Sequence, residues 1–321
     1  MQPTEARPYR AGHVHAPPPA LARPFVLRHM GAMSISAQTT ALDHFVLPTA
    51  SLDVARERLG ALGFTVAPTG VHPFGTANCC VYLADGTFLE PLAVADLGTS
   101  AAAAADGNVF VARDRAFRSE EGEEGFSAIV LASADAAGDH GKFTAKGVSA
   151  GGMLSFSRPF QDASGRSDTA SFRLAFAAWP GTTPFVFSCE RVNAPAVDRS
   201  SLERHANGVT RLLSVTMLAK DPAAAAAFFA DVTGVPGDTR EDGVRFSLLN
   251  GDLVLRATMA GHETTSKGAF EFRAVTFAVP SFAATRALLE KNGVDYDASP
   301  RSISVLPAPG QGATFIFEER A

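Results

Sequence analysis

Apolar positions along this chain fall into short unbroken or alternating runs followed by stretches with apolar residues three and four apart, and the same order recurs. The run Asp43-His44-Phe45-Val46-Leu47 predicts a strand. Ser51 then supplies an N-cap, Leu52, Ala55, Leu59 and Leu62 share one helical face, and Gly63 ends the helix. A second copy begins at Leu212 to Leu218, with Asp221 as cap, Pro222 at the first helical position, Phe228, Phe229 and Val232 turned inward, and Gly234 as stop. A third runs from Ala274 to Val279, through cap Ser281 and inward Phe282, Thr285, Leu288 and Leu289, to Asn292-Gly293. From cap to glycine it matches the first copy in length.

Each helix is followed by short β-rich segments. In the first copy these are Phe64-Thr65-Val66, Cys79 to Ala84 and Thr87 to Val94, with Asp85-Gly86 as a hairpin turn. The last copy has Val294-Asp295-Tyr296, Ile303 to Leu306 and Ala313 to Glu318, and the copy before it Val244 to Leu249 and Leu253 to Ala257. A degenerate unit fits between 125 and 191: strand Phe126 to Leu131, a poor helix over 135–147, and strands Phe172 to Ala177 and Pro184 to Cys189. The acidic stretch Ser119 to Gly125 reads as an exposed connector before it. The predicted class is α+β, with βαβββ modules paired into curved mixed sheets that form two cups. The expected division is a leader over 1–40, a first domain over 41–192, a connector over 193–208 and a second domain over 209–321.

Composition adds exclusions. With 46% hydrophobic and 19% charged residues in 321, the chain can bury a large core and divide in two. A net charge of -5 with acids and bases interspersed offers no phosphate-tracking stripe, so no nucleic-acid partner is expected. No apolar stretch approaches the about 18 residues of a membrane span, and the alanine run 101–105 is far too short. Cys79, Cys80 and Cys189 are odd in number and lack CxxC spacing, which suits buried thiols in a reducing cytoplasm better than disulfides or structural zinc. Residues 1–40 lack a secretion-signal block and read as disordered or as an upstream start, with Met33 an alternative beginning. No nucleophile elbow, phosphate loop or dinucleotide fingerprint is present. His13, His15 and His29 in the leader, and His140 and His262 in polar turns, read as surface residues.

The segments Leu42-Asp43-His44-Phe45-Val46, His72-Pro73-Phe74-Gly75-Thr76-Ala77-Asn78 and Gly86-Thr87-Phe88-Leu89-Glu90 resemble the glyoxalase-like branch of the vicinal oxygen chelate superfamily. Arg204-His205-Ala206-Asn207-Gly208 resembles a further segment of that family, opening the third unit. The resemblance implies two glyoxalase-like cups and a divalent ion such as zinc, nickel, manganese or iron. Its ligands would stand on the first and fourth strands, where His44 and Glu90 match and Glu190 is a third candidate. Departures accompany the match. Phe126, Ser127 or Ala128 stands where a second imidazole is expected, and Ser214 and Ala274 occupy the places matching His44 in the C-terminal units.

Each candidate has two readings. His44 is a metal ligand, a general base, or a core histidine with its polar atoms satisfied. Glu90, among apolar neighbours, must be paired, ligating or raised in pKa, or else face solvent. His72 is the candidate proton shuttle, making His72 and Glu90 the catalytic pair. Thr76, Asn78, His205 and Asn207 are candidate substrate contacts, or else local backbone partners. Two functions follow: a metal-dependent lyase or isomerase acting on a small molecule with vicinal oxygens, or a module that sequesters a small molecule without chemistry. A small-molecule partner is expected in both, and a homodimer is left open.

Overall fold

The structure, a computed structural model, describes residues 40–161, 167–195, 198–258 and 268–320. The leader up to residue 39 with His13, His15 and His29, and the turn at His262, lie outside these residues. The first module comprises β1 (Leu42–Pro48), α1 (Leu52–Ala61), β2 (Gly70–Val71), β3 (Thr76–Asn78), β4 (Val81–Tyr82) and β5 (Phe88–Val94). Two helices, α2 (Leu97–Ala105) and α3 (Val109–Glu121), lead to the second: β6 (Ala128–Ser133), α4 (Ala136–Ala145), β7 (Leu154–Gln161), β8 (Ser167–Ala177) and β9 (Phe185–Asn193). The third contains β10 (Arg211–Ala219), α5 (Pro222–Thr233), β11 (Asp238–Arg240), β12 (Gly243–Ser247) and β13 (Asp252–Ala257). The fourth contains β14 (Phe270–Val279), α6 (Phe282–Lys291), β15 (Asp297–Ala298), β16 (Ile303–Val305) and β17 (Thr314–Glu319).

Caps place the helices. Ser51, Asp135, Asp221 and Ser281 each accept from a backbone N–H two or three residues on, satisfying donors that a helix start leaves orphaned. Modules pair within each half. The first sheet runs β2-β3-β5-β1-β6-β9-β8-β7, with β4 also on β5, and the second runs β11-β12-β13-β10-β14-β17-β16-β15. At each centre the opening strands of two modules lie antiparallel, β1 with β6 and β10 with β14, and each has its own module's last strand parallel on its other side. These are the curved mixed sheets of the predicted α+β class.

The described residues belong to one compact unit, and a single apolar cluster runs from Phe45 and Phe126 in the first sheet to Phe272 and Phe315 in the second. Phe64 explains one departure from the expected elements: 64–66 is no strand. Its ring reaches across to Phe277, Phe315 and Phe317, and pairing begins only at Gly70. Likewise pairing in the fourth module starts at Asp297 rather than Val294, which is buried. α2 and α3 were not expected, and the acidic connector starts inside α3, where Phe110, Val111, Asp114 and Phe117 are buried. Among the described residues no helix is long and apolar enough to cross a membrane.

Candidate active site

β1 is buried along its whole length, and its alternate side chains divide between two clusters. Phe45 and Leu47 enter the shared core, whereas His44 and Val46 face the concave side of the first sheet. In the parallel register His44 lies beside Phe88 and Val46 beside Glu90, which puts Glu90 on the same concave face as His44. Their side chains converge: His44 Nε2 is 3.3 Å from Glu90 Oε2. The ring of Phe88 stacks on His44 at 4.3 Å, and Phe187 of β9 meets it edge-on at 5.6 Å.

Neighbouring strand residues ordinarily point to opposite faces, yet His44 Nδ1 lies 2.6 Å from Asp43 Oδ1. A register shift between β1 and β6 at Leu42/His44 accounts for this, because a bulge re-aims a side chain locally. Arg191 of β9 in turn grips both oxygens of Asp43, at 2.7 and 2.6 Å. Arginine, aspartate, histidine and glutamate thus form a chain of alternating basic and acidic groups.

The loop between β2 and β3 delivers a second imidazole. His72 Nδ1 is bonded to Thr76 Oγ1 at 2.8 Å, and its Nε2 stands 3.7 Å from Glu90 Oε1. Asn78 donates to that same oxygen at 2.6 Å. The loop needs Gly75: φ is +85°, and a Cβ there would lie 2.6 Å from the Ser100 backbone nitrogen.

Electrostatics separates the two histidines. Burial pushes His72 down to about 4, so its ring is neutral at ordinary pH. Burial also disfavours charge on His44, but the hydrogen bonds to Asp43 and Glu90 outweigh it and raise its pKa. Glu90 is the converse: burial opposes ionisation, yet His44, His72 and Asn78 hold its carboxyl below the usual range. Both ring nitrogens of His44 thus face carboxylates, an arrangement that favours its protonated form.

These groups open into a cavity of about 660 Å³, mouth included, whose walls are largely aromatic. β2 and β7 are opposite ends of the sheet order, yet Phe156 of β7 packs on Phe74 at 5.1 Å and on His72 at 5.9 Å. The sheet has curled until its ends meet around the site.

Four expected contacts lie elsewhere. Glu190 points away from the cavity, because Phe187, Cys189 and Arg191 take the concave side of β9; its carboxylate accepts from Ala136 N–H at the start of α4. Arg191, next to it in the chain, pairs with Asp43, and Arg173 is the cation near Glu190. His205 accepts from Thr65 N–H and donates to the Tyr82 carbonyl, while Asn207 donates to the Leu62 carbonyl and accepts from Val209 N–H. Both tie the connector to the first module rather than facing the cavity. Thr76 is buried behind His72 and orients it. Asp43, Arg191 and the aromatic wall were not anticipated as site residues, although the adjacency Asp43-His44 was a legible signal.

Two donors fit a shared divalent ion, His44 Nε2 and Glu90. Asp43 behind Nδ1 is the kind of outer carboxylate that orients a ligating imidazole. Counted back from caps Ser51 and Asp135, the second-module position matching His44 is Ala128, and the partner matching Glu90 is Phe187. Among the described residues no group of three or more His, Cys, Asp or Glu side chains could hold a metal ion. An ion here would rest on two side chains, with water or ligand oxygens completing its shell.

A family model described as a glyoxalase-like domain matches residues 42–233. No curated protein matches the chain in sequence. A hypothetical protein from Staphylococcus aureus superposes with a TM-score of 0.61 at 14% identity, covering 88% of this chain and 100% of that one. A mutant of 4-hydroxymandelate synthase from Streptomyces coelicolor gives 0.56 at 11% identity, covering 88% and 92%. At such identities these two structures share the fold.

Proposed function

The chain belongs to the glyoxalase-like domain family, and from that premise we propose that its first cup is the active site of a proton-transferring lyase or isomerase. Its substrate would be a small molecule with vicinal oxygens. One observation carries the reading: an imidazole and a carboxylate meet 3.3 Å apart in a cavity with largely aromatic walls. A carbonyl oxygen entering beside His44 would compete with Glu90 for the Nε2 proton. As Glu90 loses that hydrogen bond its basicity rises, because ionisation in so buried a place depends on its partners. Glu90 would then take the proton from the carbon next to the carbonyl. The C–H electron pair moves into a new C=C bond, the carbonyl pair moves onto oxygen, and His44 stabilises the resulting enolate by donating to it. Neutral His72, 3.7 Å from Glu90, would relay the proton to the neighbouring carbon or to a leaving group.

A divalent ion, if bound, would be held by His44 and Glu90 and would polarise the same carbonyl as a Lewis acid. Asp43 keeps the His44 ring in one orientation in either case, and Phe88 and Phe187 keep water from its faces.

The test is exchange of carbonyl-adjacent protons with deuterated water, followed by NMR over a panel of 2-oxo and 2-hydroxy carbonyl compounds. The wild-type chain is expected to exchange at least one of them, and Glu90→Gln to lose about 100-fold or more. A compound that binds but never exchanges would identify a sequestering protein. Metal analysis after purification without chelators, repeated on His44→Ala and Glu90→Ala, decides whether an ion takes part.

A further inference from the structure

The lining of this cavity carries more positive charge than the proton-transfer groups require. Three guanidiniums reach it, from Arg158 on β7, Arg191 on β9 and Arg199 just beyond β9, against the single carboxylate of Glu90. Glu90 is balanced by His44, and Arg191 by Asp43. The guanidiniums of Arg158 and Arg199 have neither a hydrogen bond nor an ion pair to any of the described residues, although both side chains are only partly exposed.

Their positions are close together. Arg199 lies over the Tyr82 ring at 4.6 Å, and the charge of Arg158 acts on the same Tyr82. Arg158 Nη1 also lies at the β2 edge, 3.0 Å from where a Gly70 Cβ would stand. Both charges therefore sit on the Tyr82 and Gly70 side, where the two ends of the sheet meet. Lining the same cavity is a run of rings: Phe74 against Phe110 at 5.7 Å, Phe74 against Phe156 at 5.1 Å, and Phe156 stacked on Phe172 at 5.0 Å. Aromatic walls favour a flat apolar body through offset and edge contacts. Half-buried guanidiniums with no carboxylate partner among the described residues favour an anion, since their planar forks match a carboxylate.

We infer that the ligand of the first cup is an aromatic carboxylate, its ring packed against the Phe74 and Phe156 wall and its carboxylate on Arg158 and Arg199. The inference rests on the cavity being the active site and adds the substrate class. The carboxylate is a binding handle separate from the carbon at which protons move.

The test uses the full chain and three probes: 2-naphthoate, the neutral 2-naphthamide and acetate, with affinity followed by ring fluorescence or calorimetry. Naphthoate is expected to bind, the amide to bind about tenfold or more weakly, and acetate not to compete at matched concentration. Arg158→Gln and Arg199→Gln should each weaken naphthoate by about tenfold and leave the amide unchanged. Both side chains are partly exposed, and a thermal melt confirms that the variants fold. Equal binding of acid and amide, no binding of naphthoate, or arginine variants that leave naphthoate binding intact would each overturn the inference. Glu90→Gln separates it from the proton-transfer reading: naphthoate binding that depends on the arginines without any proton exchange would retire the chemistry and keep the ligand class. Exchange on compounds that bind equally as acid and amide would do the reverse.

Discussion

Asp43 shows how far a single side chain can determine a buried site. It is buried, accepts from His44 and is gripped by Arg191, which together hold its carboxyl below the usual range although burial opposes ionisation. A carboxyl depressed in the folded state adds stability that is present above its unfolded pKa, near 3.8, and lost as pH falls through the lower folded value. Urea midpoints measured from neutral pH downward should therefore fall on the acid side, and less steeply in Asp43→Asn. At neutral pH that variant should lose about 1–3 kcal/mol, because Arg191 loses its counter-charge and buried His44 keeps only Glu90. Gly75 is the other sensitive position. Gly75→Ala puts a side chain at positive φ against the Ser100 backbone, with an expected cost of about 1–3 kcal/mol in chemical denaturation. It should also weaken ligand binding, since the same loop carries His72.

At the scale of elements, the helix-starting signals reported truly wherever they were read. Ser51, Asp221 and Ser281 all cap as their spacing predicted, because the bond involved is local and needs only a few residues of chain. The same signal was present and unread at Asp96 and Asn108, which cap α2 and α3. Asn108→Ala is expected to cost about 1 kcal/mol by thermal denaturation, with α3 losing the bond from Val111 N–H. Strands were less legible. Phe64 to Val66 has β-rich composition but contributes its aromatic ring to the opposite half, where packing outweighs local preference.

At the scale of the molecule, the two sheets share a core. Phe277 is fully buried and touches Phe64 from the first module as well as Phe315 and Phe317. Phe277→Ala should cost about 3–5 kcal/mol, and both halves should unfold in one transition followed by urea at two spectroscopic probes. His205→Ala, which removes two bonds linking the connector to the first module, should lower the melting temperature and leave naphthoate affinity unchanged.

The repeat of strand, capped helix and glycine stop, the α+β class and the pairing of His44 with Glu90 were all written in residue order, since each depends on periodicity, on local hydrogen bonds or on a motif held in one module. Direction and partnership across the sheet were not. Whether Glu190 faces the cavity turns on a period of two along β9, Asp43 reaches His44 only through a bulge against β6, and Arg158 arrives because the sheet's two ends curl together. Those outcomes were decided by long-range pairing, which places residues by the register of distant strands rather than by their neighbours in the chain.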